Sequence, residues 1–172
     1  MQINKSDWFG LSFGILFLLN QFIAVKFFKN IGLNKLLIKL NLKNDIMSKQ
    51  ILMTASILLA LAVALGAFGA HGLKAHLSTE MLQTYKTGIE YHFYHALGLL
   101  FIGVLSISYP SSLLNWSAIL LAIGIVFFSG SLYVLSISGI KWIGAITPLG
   151  GLCFIAGWVL LFVAVWKKIP IR

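Results

Sequence analysis

Residues 91–140 read YHFYHALGLLFIGVLSISYPSSLLNWSAILLAIGIVFFSGSLYVLSISGI, fifty positions between Glu90 and Lys141 without Lys, Arg, Asp or Glu. A helix crossing a bilayer needs about 20 apolar residues at roughly 1.5 Å rise each, so this run is too long for one crossing and suits two. The break falls at Tyr109-Pro110-Ser111-Ser112, where proline and serine favour a tight turn. Working outward, 23 uncharged residues lie between Gln50 and Lys74, and 25 lie between Lys141 and Lys167. Backbone polar groups in lipid must bond within their own segment, which makes helices of all these runs. The expected fold is an all-α integral membrane protein, an antiparallel four-helix transmembrane bundle with helices over about 50–70, 89–109, 113–136 and 143–166.

Composition supports the same class. Of 172 residues, 59% are hydrophobic and 10% charged, with mean hydropathy +0.95. Soluble domains carry about 25% charged residues, so a water-soluble monomer is excluded. Thirteen Lys and Arg against four Asp and Glu give a net charge of +9. The basic residues sit between apolar runs, which suits anionic lipid headgroups, and no nucleic-acid partner is expected. Cys153 stands alone inside an apolar run, so no intrachain disulfide forms.

Residues 1–46 differ from the four-helix domain expected over 47–172. They hold six of the seven Asn, and Lys, Asn, Ile, Phe and Leu supply 33 of the 46 positions. The uncharged run 8–25 is a candidate fifth hydrophobic helix, weakened by Asn20 and Gln21. Over 26–45, Leu33, Leu36, Leu37 and Leu40 share one face with Lys35 and Lys39 opposite, the pattern of a basic interfacial helix, with a break expected at Gly32. Met47-Ser48-Lys49-Gln50 reads as an ordinary start, and the alternative to a real anchor is an extension produced by a misplaced start site.

Lysine placement sets the expected orientation. Lys43, Lys49, Lys167, Lys168 and Arg172 flank one end of the four-helix core, against Lys74, Lys86 and Lys141 at the other. The positive-inside rule places both core termini in the cytoplasm.

That topology gathers the unusual residues at the non-cytoplasmic end. His71, Glu90, His92, His95, Tyr94 and Tyr133 form the candidate functional cluster. Thr87-Gly88-Ile89-Glu90 matches a capping box for the start of the second helix, the alternative role for Glu90 being a proton-handling carboxylate. His92 and His95 share a helix face, and with His71 opposite they are candidate ligands for a transition metal or, as a cross-helix pair, for a b-type haem. The competing reading makes the imidazoles interhelical hydrogen-bonding groups, with Tyr91 and Tyr94 in the aromatic belt; no cofactor is then required. Ala62, Gly66 and Ala70 form a small-residue stripe for close helix packing, and Gly150 and Gly151 read the same way. Ser78-Thr79-Glu80 caps a short amphipathic surface helix carrying Met81, Leu82 and Tyr85.

These residues also resemble a known family. Gly66-Ala67-Phe68-Gly69-Ala70-His71-Gly72-Leu73, Thr87–His92 with Tyr94-His95-Ala96-Leu97, Ser129–Tyr133 and Thr147–Gly151 resemble the domain of unknown function 423 family, also called uncharacterised protein family 0382, with transmembrane protein 256 as a relative. The resemblance runs from about Met47 to Lys168 and implies a small four-helix membrane protein with no catalytic residues to transfer. The expected function is that of a non-enzymatic accessory or interaction protein, its partners the lipid bilayer and a membrane complex or further copies of itself. Two alternatives stand beside it: a histidine-based metal or haem redox protein, and a small oligomeric ion or proton conductor.

Overall fold

A computed structural model describes the backbone of residues 5–168 and the side chains of residue 32 and residues 34–167. Helix α1 covers Lys5–Phe68 and runs on into a π-helical turn over Gly69–Leu73. Helix α2 covers Thr79–Ser108, α3 Ser112–Gly124, α4 Gly130–Ser138 and α5 Thr147–Lys168. A second π turn, Ile125–Ser129, joins α3 to α4, and a 3-10 segment, Lys141–Ile146, precedes α5. No strand occurs among the described residues. Among the described residues, four stretches are long and apolar enough to cross a membrane: Asn34–Leu73, Thr79–Ser108, Ser112–Ser138 and Lys141–Lys167.

The chain divides into two compact units, Met1–Lys43 and Asn44–Arg172. In the first, Leu36, Leu37 and Leu40 are exposed. The break expected at Gly32 is absent: the helix continues through it. One glycine costs a helix only about 1 kcal/mol relative to alanine, and the neighbouring Leu and Lys are good helix formers. The side chains of the run 8–25 lie outside the described residues.

In the second unit the bundle is built on a seam along α2. Tyr85, Gly88, His92, His95, Leu99, Ile102 and Ser106 are all buried, and they follow one another at alternating steps of three and four. That spacing keeps one face of a helix turned to its neighbours. Beyond His95 the seam carries Leu99 and Ile102, packed in one core cluster with Ala55, Leu121 and Phe154, and ends on Ser106, whose hydroxyl donates to the Ile102 carbonyl at 2.8 Å. Helix α5 packs closely on α3 and on the second π turn where glycine removes the side chain. A Cβ on Gly150 would run into the Phe128 backbone, and one on Gly157 would lie 2.7 Å from Leu121 Cδ2. Ser117 Oγ donates across the same interface to the Gly157 carbonyl at 2.7 Å. At the end of α4, Gly139 takes φ +70°, a left-handed position that closes the helix with its N–H on Leu135 O.

The start of α2 corrects the sequence reading. Thr87 and Glu90 do not cap a helix, because α2 begins at Thr79 and both residues lie inside it. Thr87 Oγ1 donates to the Gln83 carbonyl one turn back, 3.1 Å, and the capping oxygen is that of Ser78, which accepts from Met81 N at 3.3 Å. The expected surface helix carrying Met81, Leu82 and Tyr85 is therefore the first part of α2. Lys86 and Glu90 are tolerated within the helix because both are exposed. The fourth expected helix also starts later, at Thr147, since the residues ahead of it form the 3-10 segment.

Candidate functional site

The upper half of the α2 seam carries the polar side chains. His92 is buried, and its Nδ1 lies 3.1 Å from the Tyr133 hydroxyl of α4. Tyr133 in turn packs on Tyr85, ring centroids 5.1 Å apart, and Tyr85 donates its hydroxyl proton to the Leu65 carbonyl of α1 at 2.9 Å. Glycine makes room for this stack on two sides. A Cβ on Gly88 would lie 2.8 Å from the Tyr133 ring, and one on Gly69 would lie 2.5 Å from the Tyr85 ring. The result is a polar tie running from α1 through α2 to α4, of the kind that joins helices where water cannot.

His95 occupies a different environment one turn along. Its Nδ1 lies 2.7 Å from the Tyr91 carbonyl. A carbonyl only accepts, so Nδ1 carries the proton. The ring stacks on Phe154 of α5 at 3.4 Å between centroids and 13° between planes, within an aromatic group that includes Tyr91 and Phe128. A second polar contact pins the same first turn of α4 to α5: Ser131 Oγ lies 2.7 Å from Thr147 Oγ1 and also donates to the Phe128 carbonyl.

Among the described residues, two further buried polar atoms fall short of full hydrogen-bonding geometry: His92 Nε2, its ring beside the Leu58 backbone of α1, and Ser129 Oγ, beside the Tyr133 side chain one helical turn on.

The expected cluster is thus only partly assembled. His92 and Tyr133 meet, and His95 is buried beside them on the same helix. His71, in the first π turn, is exposed, as are Glu90 and Tyr94. Among the described residues no three His, Cys, Asp or Glu side chains gather closely enough to hold a metal ion, so the set His71, His92 and His95 does not form a ligand group. The physical reason is direct: each buried imidazole has its Nδ1 engaged by a different partner, and the third lies outside the bundle interior. Tyr85, Phe128, Ser129 and Phe154 belong to the site and were missed by sequence reasoning. Tyr85 was recoverable, since it continues the three-and-four spacing of His92 and His95 upstream past Glu90.

The small-residue stripe is also redistributed. Ala62 is buried, but a Cβ on Gly66 would meet only Ile89 at an ordinary 3.6 Å, and Ala70 is exposed. The wider π turn brings Gly69 and Leu73 inward in place of Ala70. The stripe leaves a cavity of about 180 Å³ lined by Gly66, Gly69, Ala70, Tyr85, Lys86, Ile89 and Glu90. At Gly150 close packing is realised; Gly151 makes a looser contact, its Cβ position 3.9 Å from the Phe128 ring.

Comparison with known proteins places this architecture. Residues 65–151 match the profile of a protein family of unknown function, DUF423. A UPF0382 membrane protein of Staphylococcus haemolyticus is 49% identical over 107 residues, which is 62% of this chain and 87% of that relative. The UPF0382 membrane protein YwdK of Bacillus subtilis is 50% identical over 109 residues, 62% of this chain and 88% of the relative. No solved structure matches. A family profile spanning just over half the chain, and relatives aligned over most of their own length, show that this multi-pass membrane protein belongs to the DUF423 family of UPF0382 membrane proteins.

Proposed function

We propose that the chain is a non-enzymatic accessory protein of the bacterial cytoplasmic membrane, acting by association with a membrane complex, with both ends of the 47–172 bundle in the cytoplasm. The observation that carries this reading is the inward use of the polar side chains. His92–Tyr133, Tyr85–Leu65 carbonyl and Ser117–Gly157 carbonyl each tie one helix to another. These bonds tie α2 to α4, α1 to α2 and α3 to α5, and helices held in fixed pairs are what a docking scaffold in lipid requires. Exposed apolar side chains such as Ile155 and Phe162 on α5 supply surface for a partner helix.

The test is photo-crosslinking in cells from positions 155 and 162, followed by purification of the full chain in mild detergent. One partner captured in constant ratio, at both positions and in the detergent eluate, is the expected result. A Soret band or stoichiometric metal, lost in His92→Leu, overturns the reading in favour of redox chemistry. Orientation is read separately, by labelling Ala75→Cys and Ser112→Cys from outside intact cells in a Cys153→Ala background. Labelling at 75 alone is expected; labelling at 112 alone inverts the orientation.

A further inference from the structure

The second half of the Ser112–Ser138 span carries two possible seams, one residue apart. Along α3 the buried apolar positions Leu114, Ala118, Leu121 and Ile125 follow steps of four, three and four. Continued at α-helical spacing, that face next takes Phe128, Leu132 and Leu135, all apolar. The chain does otherwise. Ser129 and Ser136 are fully buried, Phe128 and Leu135 only half-buried, and Tyr133 rather than Leu132 reaches His92. The shift is made in the π turn Ile125–Ser129, where the Gly130 N–H bonds to the Ile125 carbonyl five residues back and the helix takes up one residue more than regular α-helical bonding uses.

Each residue of an α-helix turns the chain by about 100° and advances it by about 1.5 Å. If the turn relaxes to α-helical bonding, every residue after it moves on by one position. Leu132 then stands where Tyr133 meets His92, and Gly130 where Ser131 meets Thr147. Phe128 and Leu135 replace Ser129 and Ser136 in the interior.

The surroundings leave room for this movement. Gly130 has a helical φ of −60°, and a Cβ on it would meet nothing within 4 Å, so neither backbone angle nor packing calls for glycine there. Its effect is to loosen the helix. Gly150, against the Phe128 backbone, offers no side chain for that backbone to pass. Beyond α4, the left-handed Gly139 and the segment Lys141–Ile146, which buries no residue, can absorb an advance of about 1.5 Å without disturbing the core.

We infer that the second π turn is a register switch: α4 exchanges between the polar register of the structure and an apolar one displaced by one residue, and the exchange makes or releases the His92–Tyr133 and Ser131–Thr147 contacts together. Two polar contacts offset the irregular backbone in the first register; a regular backbone and an apolar seam offset their loss in the second. The ties of α4 to α2 and to α5 are therefore released in one step. The inference rests on the spacing and glycines of this span and is independent of the accessory reading.

The experiment is disulfide trapping in the full chain in membranes, in a Cys153→Ala background. Ser131→Cys with Thr147→Cys reports the register of the structure, since the two hydroxyl oxygens lie 2.7 Å apart, and Gly130→Cys with Thr147→Cys reports the displaced one. The first pair is expected to close at once. The second is expected to close more slowly but to completion, because each visit to the displaced register is trapped. Deleting Val126 removes the additional residue and leaves Ser131 and Tyr133 where they stand, so it should abolish closure of the 130–147 pair and keep that of 131–147. A 130–147 pair that never closes in the undeleted chain, or that closes equally fast after the deletion, overturns the proposal. If the deletion variant fails to fold, Leu132→Tyr/Tyr133→Leu decides. Its tyrosine reaches His92 only in the displaced register, so its unfolding midpoint should exceed that of Tyr133→Leu and fall again on adding His92→Phe. A midpoint no higher than that of Tyr133→Leu overturns the switch.

Discussion

Adjacent glycines where α5 crosses the second π turn give the sharpest test of how this bundle is held together. A methyl group at Gly150 would enter the backbone of Phe128, with the nitrogen, Cα and Cβ all inside normal contact distance, whereas a methyl at Gly151 would meet only the Phe128 ring at 3.9 Å. Replacing glycine by alanine inside a helix gains about 1 kcal/mol from propensity at either position. At Gly150 that gain is opposed by overpacking against backbone, which has no rotamer to yield and costs about 1–3 kcal/mol. Separating the helices there also lengthens the Ser117–Gly157 hydrogen bond, now 2.7 Å, two turns along the same interface. Such interhelical bonds contribute about 0.6 kcal/mol on average in membrane proteins. Gly150→Ala is therefore expected to destabilise by about 1–2 kcal/mol net, and Gly151→Ala to be neutral or slightly stabilising. The assay is reversible unfolding in mixed micelles by titration with a denaturing detergent, followed by circular dichroism. Equal midpoints for the two variants, or a stabilised Gly150→Ala, would refute the packing argument.

Tyr133→Phe removes the partner of His92 Nδ1 and should cost about 0.6–2 kcal/mol, while the double variant His92→Phe/Tyr133→Phe should recover part of it; unfolding midpoints in a double-mutant cycle read this directly. Ser117→Ala should destabilise by about 0.6 kcal/mol in the same titration. Ser78→Ala should lower stability by about 1 kcal/mol and speed amide exchange at Met81, and Thr87→Ala should do neither, since only Ser78 caps α2.

The spans were legible because lipid leaves the backbone so few options. An uncharged run of adequate length has to be a helix, and a proline–serine turn inside fifty such residues has to divide it. The start of α2 was not legible from the same signals. Reading Glu90 and Lys86 as marks of the water boundary put the helix start near Ile89, and Thr87 with Glu90 supplied a cap that fitted. The spacing of apolar and aromatic positions carried the better information: Tyr85, Gly88 and His92 continue one seam, and a seam does not stop at a charge that faces outward. The two π turns had no sequence signal of their own. They arise where packing shifts the backbone ladder by one residue, and that shift is why Gly69 rather than Ala70 meets Tyr85. The histidines were legible as a location and not as a ligand set, because spacing places two imidazoles on one face without saying which partner each nitrogen takes.

Tyr85 is the residue through which the separate features of this end of the bundle meet. Its hydroxyl bonds to the Leu65 carbonyl on α1, one face packs on Tyr133, and its ring closes the cavity that Lys86 and Glu90 rim. Tyr133 carries the connection on to His92. Leu99 and Ile102 hold equivalent seam positions further along α2 by undirected packing, whereas the hydroxyls and imidazole at 85, 92 and 133 fix which helix face meets which. Anything that enters the cavity touches a ring already held by α1 and α4, so filling or emptying it bears directly on the tie between three helices.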